Sequence, residues 1–301
     1  MKTETKSSLP EIELFTSSHW SDYELLDTGG GLKLERFGPY RFIRPEHQAV
    51  WGPAWQQREW EKAAAVFQPT SDESGGNWNF KQSINPQWEM HYKGLKFNAR
   101  TSNSRHLGVF PEQATHWDWV NEVISTAKSP VNVLSLFGYT GLATLAAAQA
   151  GAQVTHLDAS KKAITYAREN QILSGLQDKP IRWIMDDAVK FVQREARRGV
   201  HYDGLILDPP KFGRGPKGEV WEFFKMLPYL LEQIKPLFSP KPLFLVITAY
   251  AIRASAMSLH YAVRDLMQSY HGSISSGELI TIEKSAGRVI SMAITSRWCA
   301  R

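Results

Sequence analysis

From about residue 111 onward, short apolar runs alternate with segments whose apolar residues recur with a helical period. The short runs predict buried strands, and the segments between them predict helices. Strands are expected at "VNVLSLF", "AQVTHLD", "IRWIMDD", "YDGLILD" and "PLFLVITAY", with helices such as "GLATLAAAQAG" and "SKKAITYARENQILSG" between them. This regular alternation predicts an α/β fold with a mostly parallel sheet and helices on both faces.

The end of the chain breaks the alternation. The segments "GELITIEK" and "RVISMAITSRW" both read as strands, and no helical pattern separates them. Two consecutive strands joined by a short connection form an antiparallel hairpin. The last strand is therefore predicted to join the sheet antiparallel to its neighbours.

Residues 1–110 have a different texture, rich in Trp, Gly and Pro. Short alternating stretches such as "LKLERFGPYRFI" and "WEMHYKGLKFNAR" predict strands and hairpins, and one helix is predicted over residues 53–67. The change of pattern predicts two units. These are a β-rich N-terminal extension over residues 1–110 and the main α/β domain over residues 111–301.

Composition narrows the cellular setting and the partners. No apolar stretch approaches the ~20 residues of a transmembrane helix, and the N-terminus lacks the apolar run of a secretory signal. A single cysteine, Cys299, excludes an internal disulfide framework, so a cytoplasmic protein without membrane partners is expected. The net charge of +5 divides into −2 for residues 1–119 (13 Lys+Arg, 15 Asp+Glu) and +7 for the rest (22 and 15). A basic half favours a polyanionic partner.

Candidate binding residues lie where the predicted strands end, because ligands of open parallel sheets bind beyond the carboxyl ends of the strands. Gly138 and Gly141 form the turn after the first strand, either as a plain tight turn or with helix-start amides facing a ligand. Asp158 ends the second strand, where it could accept from ribose hydroxyls or cap a helix. Asp186 and Asp187 follow the third strand. A carboxylate there could accept a hydrogen bond from an adenine amino group, or it could cap the next helix. Together these positions favour a nucleoside-containing ligand.

The fourth strand ends in "LILDPPKFGRG", which places a carboxylate in front of two prolines. Pro209 and Pro210 cannot donate to a sheet and hold the chain extended after Asp208. The glycines and basic residues that follow predict a mobile, basic loop. The segment therefore predicts a carboxylate fixed at the tip of a buried strand.

Several classes of enzyme are disfavoured by missing motifs. Dinucleotide oxidoreductases favour Gly-x-Gly-x-x-Gly after the first strand, but Tyr139 stands within that turn here. "GRGPKGEV" has the glycine spacing of a P-loop, but Glu219 replaces the required lysine. The sequence contains neither His-Glu-x-x-His nor Gly-x-Ser-x-Gly, and no metal is expected.

Taken in order, these features resemble class I S-adenosylmethionine-dependent methyltransferases. More narrowly, "NVLSLFGYTGLATLAAAQAGAQVTHLDASKKAITYARENQ" and "YDGLILDPPKF" resemble the bacterial 23S (large-subunit) ribosomal RNA methyltransferases. The segment "RHLGVFPEQATHW" resembles the element that precedes the first motif in that family. The resemblance spans roughly residues 105–298 and implies a Rossmann-like sheet that binds S-adenosylmethionine.

The resemblance also implies roles for individual residues. Asp158 is expected to hold the cofactor ribose, Asp187 its adenine, and the turn from Gly138 to Gly141 its methionine end. The expected cofactor-binding residues are Phe110, Gln113, Phe137, Gly138, Tyr139, Thr140, Gly141, Asp158, Ala159, Ser160, Asp186, Asp187, Ala188 and Asp208.

The resemblance also predicts how the acceptor is held. An aromatic amine is a poor nucleophile, and Asp208 with the carbonyl of Pro209 could accept its hydrogen bonds and localise its lone pair. The Asp/Asn-Pro-Pro-aromatic motif of amino methyltransferases works this way, but here Lys211 intervenes before the aromatic Phe212. Phe212 is therefore expected either to stack on the base or to belong to the core. The predicted catalytic set is Asp208, Pro209, Pro210 and Phe212.

The acceptor is expected to be nitrogen in RNA. Cytosine carbon-5 chemistry needs a cysteine nucleophile near the fourth or fifth strand tip, and Cys299 lies at neither place. Lys211, Arg214 and Lys217 are expected either to bind RNA phosphates or to form a solvated loop. Two alternatives remain open. One is a methyltransferase of small molecules or proteins with residues 1–110 as a lid, and the other is a non-catalytic module that binds the cofactor or RNA.

Overall fold

The computed structural model of the protein describes residues 9–17, 19–70 and 75–301. Within the described part of the extension, the chain forms strands and one short helix. In chain order these are β1 (Ile12–Phe15), β2 (Tyr23–Gly29), β3 (Leu32–Phe37), β4 (Tyr40–Pro45), α1 (Gln57–Trp60), β5 (Ala65–Pro69), β6 (Gly76–Phe80), β7 (Gln87–Tyr92) and β8 (Leu95–Arg100).

The rest of the chain alternates strands with helices, after a 3₁₀ turn at Pro111–Gln113. The elements are α2 (Ala114–Ser125), β9 (Asn132–Leu136), α3 (Leu142–Gln149), β10 (Gln153–Asp158), α4 (Lys161–Leu173), β11 (Ile181–Met185), α5 (Ala188–Arg197), β12 (Gly204–Leu207), β13 (Phe212–Arg214), β14 (Val220–Glu222), α6 (Phe223–Ile234), β15 (Phe244–Ala249), α7 (Ala256–Leu266), β16 (Gly272–Ile282) and β17 (Val289–Ala300). In the described residues, no helix has both the length and the apolar character of a membrane span.

The large sheet has eight strands in the order β1-β16-β17-β15-β12-β9-β10-β11. Strands β9 to β12 and β15 run parallel, and β17 is antiparallel to both of its neighbours. The predicted parallel core and the antiparallel last strand are both confirmed. Strand β12 is buried along its whole length, as its uninterrupted apolar sequence predicts.

The helix predicted over residues 53–67 is wrong. Only α1 is helical there, and the chain is already extended at Ala65, which pairs with Phe42 of β4. The competing structure is a loop wound around Asp27, whose carboxylate accepts from the backbone amides of Ala54 and Trp55 at 3.2 and 2.9 Å. These tertiary hydrogen bonds override the local helical pattern.

Strand β1 pairs with a strand from the other end of the chain and not with its sequence neighbours. It pairs in parallel with β16, so the extension contributes the edge strand of the large sheet. The turn between β16 and β17 also contacts the extension, since the amide of Lys284 donates to the carbonyl of Leu25 at 2.9 Å. The Ser285 hydroxyl donates to Asp27 at 2.6 Å. No local pattern predicted this interlocking of the two ends of the chain.

The extension and the main domain also share a hydrophobic core. Tyr92 and Phe97 pack in the same buried cluster as Trp117 and Leu145. The Tyr92 hydroxyl donates to Asp118 of α2 at 2.7 Å. Packing therefore continues across residue 110, and the division into two domains at that residue stays a prediction.

Candidate active site

The carboxyl ends of the parallel strands open into one cavity of about 940 Å³. The strand order reverses between β9 and β12, and such a switch point is where open parallel sheets bind ligands. The cavity is lined by residues that follow five strands, namely Phe137 and Tyr139, Asp158 to Ser160, Asp186 to Ala188, Asp208 to Lys211, and Ala249 to Ile252. The structure thus brings most of the predicted cofactor-binding residues together.

The first strand tip is held in an unusual backbone conformation. Phe137 and Tyr139 have φ angles of 58° and 48°, which side-chain-bearing residues rarely adopt. Between them, Gly138 packs so closely on the buried ring of His156 that an added Cβ would lie 2.3 Å from Cε1. Strained residues of this kind persist only where the surroundings hold them, often at ligand sites.

The remaining residues of this turn face inward. Gly141 has a φ of 83°, and an added Cβ would lie 2.8 Å from Cβ of Ala167. The Thr140 hydroxyl donates to the carbonyl of Gly108 at 2.8 Å and is buried. Gly138, Thr140 and Gly141 therefore support the turn and are not among the residues that line the cavity.

Asp158, at the end of β10, is oriented by the backbone on both sides. Its Oδ2 accepts from the amide of Tyr139 at 2.9 Å, and its Oδ1 accepts from the amide of Ser160 at 2.8 Å. Burial raises the pKa of this carboxyl, and the two amide hydrogen bonds oppose that rise. Ser160 itself caps α4 by accepting from Ala163. Asp158 can therefore present its lone pairs to the cavity in a fixed direction.

Asp186 and Asp187 both line the cavity, and both also have structural partners. Asp186 accepts from the amide of Asp187 at 2.8 Å and forms an ion pair with Arg194 at 2.8 Å. Asp187 caps α5 by accepting from the amide of Lys190 at 3.0 Å. The capping role considered from the sequence is therefore present in the structure.

Asp208 directly follows β12 and lies at the tip of that strand. Its Oδ2 accepts from Nε2 of Gln113 at 3.1 Å, whereas Oδ1 is shielded from solvent and has no partner within the described residues. Burial, followed by the charges of Glu112 and Asp158, raises the pKa of Asp208 to about 8. The carbonyl of Pro210 accepts from the indole of Trp221 at 2.6 Å, which fixes the segment that follows.

The segment predicted as a loop after Pro210 contains a short hairpin. Strands β13 and β14 pair antiparallel, with Arg214 opposite Val220. Two of its glycines are closely packed: an added Cβ at Gly213 would lie 3.3 Å from Pro210, and one at Gly215 would lie 2.4 Å from Glu219. Interactions with Glu219, which include an ion pair with Lys190 and a hydrogen bond from the amide of Lys217, help to close the turn.

The hairpin places some of the predicted substrate-binding residues at the cavity and the others away from it. Lys211 and Arg214 are exposed and line the mouth of the cavity. Phe212 is 57% exposed, so it is not a core residue, and neither Phe212 nor Lys217 is among the lining residues. Phe110 lines the cavity, with its ring centroid 5.0 Å from that of Tyr250.

Sequence reasoning missed the opposite wall of the cavity, which the extension provides. Its lining residues there include Lys33, Arg44, Glu46, Gln48, Arg105 and His106. Arg44 forms two 2.7 Å hydrogen bonds with Glu35, and Lys33 forms a 3.3 Å ion pair with Glu46. These residues are far in sequence from the strand tips, so no local sequence pattern indicates that they line the cavity.

Two further residues at the site were missed although signals existed. Glu112 is 3% exposed and lines the cavity next to Gln113, inside a segment already quoted for its motif. Tyr250 lines the cavity directly after β15, at the tip of the fifth strand of the α/β alternation. Both follow the rule that ligands meet the ends of elements at this edge of the sheet.

Comparisons with known proteins agree on one activity. A family model described as S-adenosylmethionine-dependent methyltransferase matches residues 35–259. A crystal structure of an S-adenosylmethionine-dependent methyltransferase from Agrobacterium tumefaciens is 49% identical, with a TM-score of 0.92 over 97% of this chain and 96% of that one.

Curated relatives match over shorter stretches. Ribosomal RNA large subunit methyltransferase I of Aeromonas salmonicida is 31% identical over 120 residues, which are 40% of this chain and 29% of that protein. Ribosomal RNA large subunit methyltransferase K/L of Shewanella baltica is 30% identical over 127 residues, 42% of this chain and 17% of that protein. The match thus spans less than a third of these relatives.

Proposed function

The chain belongs to the family of S-adenosylmethionine-dependent methyltransferases, and on that premise we propose that it methylates a base nitrogen in ribosomal RNA. The observation that carries this proposal is the Asp208 carboxylate at the tip of β12, whose Oδ1 is buried with no partner in the part of the chain that the structure describes. Burying an acceptor in this way is costly unless a ligand supplies its hydrogen bond. A nitrogen that carries hydrogen is such a donor.

The residues of the strand tips fit the cofactor. A cavity of about 940 Å³ is ample for a nucleoside with an amino-acid tail, and Asp158 presents a carboxylate of fixed orientation to it. We assign the ribose to Asp158, the adenine to Asp187, and the methionine end to the strained turn at Phe137 and Tyr139. When bound, S-adenosylmethionine supplies a methyl group attached to a sulfonium. The thioether that remains after transfer is a good leaving group.

The protein then has to position the acceptor and receive its proton. Asp208 lines the cavity, and the hydrogen bond from Gln113 to its Oδ2 restrains the orientation of the carboxylate. The Trp221 indole anchors Pro210, and the two prolines keep this segment rigid. A hydrogen bond from the amine to Asp208, with the carbonyl of Pro209 as a second acceptor, localises the nitrogen lone pair toward the methyl group. Stacking by Phe212 stays a prediction.

RNA as the substrate class is supported by charge at the mouth of the cavity and by the names of the relatives. Lys211 and Arg214 lie on the hairpin side, and the exposed Arg105 lies on the extension side. Cations on both sides of an opening can hold the phosphates that flank a target base. Ribosomal RNA as a partner also fits the cytoplasmic setting expected from the sequence.

The test uses S-adenosylmethionine labelled in its methyl group and total RNA from cells that lack the gene. We expect label in intact RNA and none after prior RNase digestion, and nucleoside analysis should place the methyl on nitrogen. A heat-denatured sample of the protein controls for carried-over label. Label on carbon or on a ribose hydroxyl would contradict nitrogen methylation.

One observation favours a second candidate, a methyltransferase of a small molecule. The extension closes one wall of the cavity with buried ion-paired residues, and this enclosure would suit a compact acceptor. If neither naked RNA nor assembled ribosomal particles accept label, the same assay with a cell extract depleted of macromolecules tests this candidate. Label in a small-molecule fraction would replace the RNA proposal.

A further inference from the structure

The side chain of Trp221 lies across the two strand tips that flank the switch point. Its ring centroid is 4.8 Å from that of Phe137, which directly follows β9. Its indole N–H donates to the carbonyl of Pro210, near the tip of β12, at 2.6 Å. Trp221 lines the cavity and is 6% exposed. One buried side chain therefore contacts both the turn at residues 137–139 (the donor turn) and the segment at residues 208–210 (the acceptor segment).

The hairpin of β13 and β14 holds Trp221 in this place. Trp221 pairs with Gly213 across the hairpin, where an added Cβ would lie 3.3 Å from Pro210 and 3.8 Å from Cβ of Trp221. Val220, next to Trp221 in β14, is 51% exposed, because neighbouring side chains of a strand point to opposite faces. The missing side chain at Gly213 thus lets the inner face of the hairpin lie against Pro210.

The two prolines make a side-chain donor necessary here. Neither Pro209 nor Pro210 has an N–H group with which to join the sheet. The backbone forms hydrogen bonds before them, from the amide of Asp208 at 3.3 Å, and after them, to the carbonyl of Lys211 at 3.0 Å. Between these two, Trp221 holds the carbonyl of Pro210, and the carbonyl of Pro209 has no partner in the described part of the chain. The indole therefore fixes the prolines and leaves the Pro209 carbonyl available to a substrate.

We propose that Trp221 is a positioning residue for methyl transfer, which keeps the acceptor segment after β12 aligned with the donor turn after β9. This inference rests on the proposed function, since it takes Asp208 as the residue that binds the acceptor. Transfer is an in-line displacement, so the acceptor atom, the methyl carbon and the sulfur have to be aligned. A misplacement of about 1 Å can cost about 10²-fold in rate. Trp221 acts through Phe137 and Pro210 and takes no part in the bond changes.

The first test removes the indole hydrogen bond and keeps an aromatic ring against Phe137. In Trp221→Phe the carbonyl of Pro210 loses its donor, so the acceptor segment should be aligned less often. In the labelled-methyl assay, with whichever acceptor takes label, we expect kcat to fall by about 10-fold with little change in KM. Affinity for S-adenosylhomocysteine, measured by calorimetry, should stay unchanged, which also reports that the variant is folded.

Trp60→Phe supplies the matched control. The indole of Trp60 also donates a buried hydrogen bond, to Asp27 at 2.8 Å, but Trp60 lies in the extension and is not among the residues that line the cavity. This variant should lower the melting temperature and leave kcat unchanged. If Trp221→Phe likewise lowers the melting temperature without a change in kcat, Trp221 has a structural role alone and the inference is overturned.

A second measurement needs no acceptor. The indole N–H groups of the eleven tryptophans give signals in a nitrogen–proton NMR spectrum, and the signal that Trp221→Phe lacks identifies Trp221. We expect this proton to be shifted downfield and slow to exchange with solvent, because it is buried in a short hydrogen bond. It should also shift when S-adenosylhomocysteine is added, because the ring packs on the donor turn. A fast-exchanging indole proton that ignores the ligand would overturn the inference.

The two assays together separate this inference from the RNA proposal. RNA methylated by Trp221→Phe at the wild-type rate would overturn the positioning role and leave RNA methylation intact. Conversely, label in a small-molecule acceptor, with kcat lowered in Trp221→Phe and the expected indole signal, would support the positioning role and overturn the RNA proposal.

Discussion

The two sides of the cavity are built in different ways. The strand-tip side is made by backbone, since Asp158 is oriented by the amides of Tyr139 and Ser160 and the first turn depends on Gly138. The extension side is made by charged side chains that neutralise one another, such as Arg44 and Glu35. Backbone geometry suits a ligand common to a whole family, and side chains can be exchanged to suit a particular acceptor. We therefore expect substitutions at the strand tips to change cofactor binding, and substitutions on the extension side to change which acceptor is used.

The largest expected effect comes from the residue at which the two sides meet. Asp208→Asn keeps an acceptor oxygen but removes the group that can take up the amine proton, so methyl transfer should fall by about 10²-fold. Affinity for S-adenosylhomocysteine should change little. Labelled methyl transfer and calorimetry measure the two quantities, with the exposed Asp178→Asn as control. Full activity in Asp208→Asn would remove this residue from the mechanism.

A change on the strand-tip side should act on the cofactor alone. Asp158→Asn places an amide where two backbone N–H groups and a ribose need acceptors, so affinity for S-adenosylhomocysteine should fall by about 10–100-fold. Calorimetry on the variant and on Asp178→Asn gives the comparison. Equal affinities would show that Asp158 only caps the turn.

Gly138→Ala tests whether the backbone of the first tip is as constrained as its packing indicates. The new Cβ would lie 2.3 Å from the ring of His156. This ring is fully buried and forms a hydrogen bond with Thr144. Overpacking of this kind costs about 1–3 kcal/mol in the free energy of unfolding, measurable in urea. Gly52→Ala, where an added Cβ meets open space, should be near neutral. Equal stability of the two variants would contradict the packing argument.

The raised pKa of Asp208, about 8, predicts a pH-dependent cost in stability. In the unfolded chain the group loses its proton near pH ~4, so between there and about pH 8 the folded state binds more protons and its stability falls as pH rises. Asp208→Asn cannot ionise. The melting temperature of the ligand-free variant minus that of the wild type should therefore increase from pH 5 to pH 8. The increase should be about 2–4 °C for each kcal/mol of unfolding free energy that the wild type loses. A difference that stays constant with pH would place the pKa near its usual value.

The smallest effects are expected at the mouth, where the two sides face solvent. Arg105→Ala and Arg214→Ala should each weaken RNA binding a few-fold and reduce its salt dependence by about one phosphate contact. Affinity for S-adenosylhomocysteine should not change. Filter binding at several salt concentrations measures this, with the exposed Arg58→Ala as control. An effect of Arg214→Ala without one of Arg105→Ala would confine RNA to the hairpin side.

The strand-tip side of the cavity could be predicted from the sequence, whereas the extension side could not. The Rossmann-like sheet follows from local periodicity, and the positions of Asp158 and Asp208 follow from where strands end. The helix over residues 53–67 failed because Asp27, distant in sequence, captures the backbone of that segment. The hairpin after Pro210 carries no local strand pattern, because its glycines serve close contacts with Pro210 and Glu219 that form only on folding. The extension wall depends wholly on long-range contacts.

The interlocking of the two chain ends also has a consequence for how the protein is made. Strand β1 is synthesised long before its partner β16 and the turn at Lys284. While the chain is growing, β1 has no strand to pair with, and the final docking of the extension must wait for the last hairpin. Such late, long-range pairing is slow and exposes an unpaired edge. The extension side of the cavity should therefore stay incomplete in the nascent chain until β16 and β17 have been synthesised.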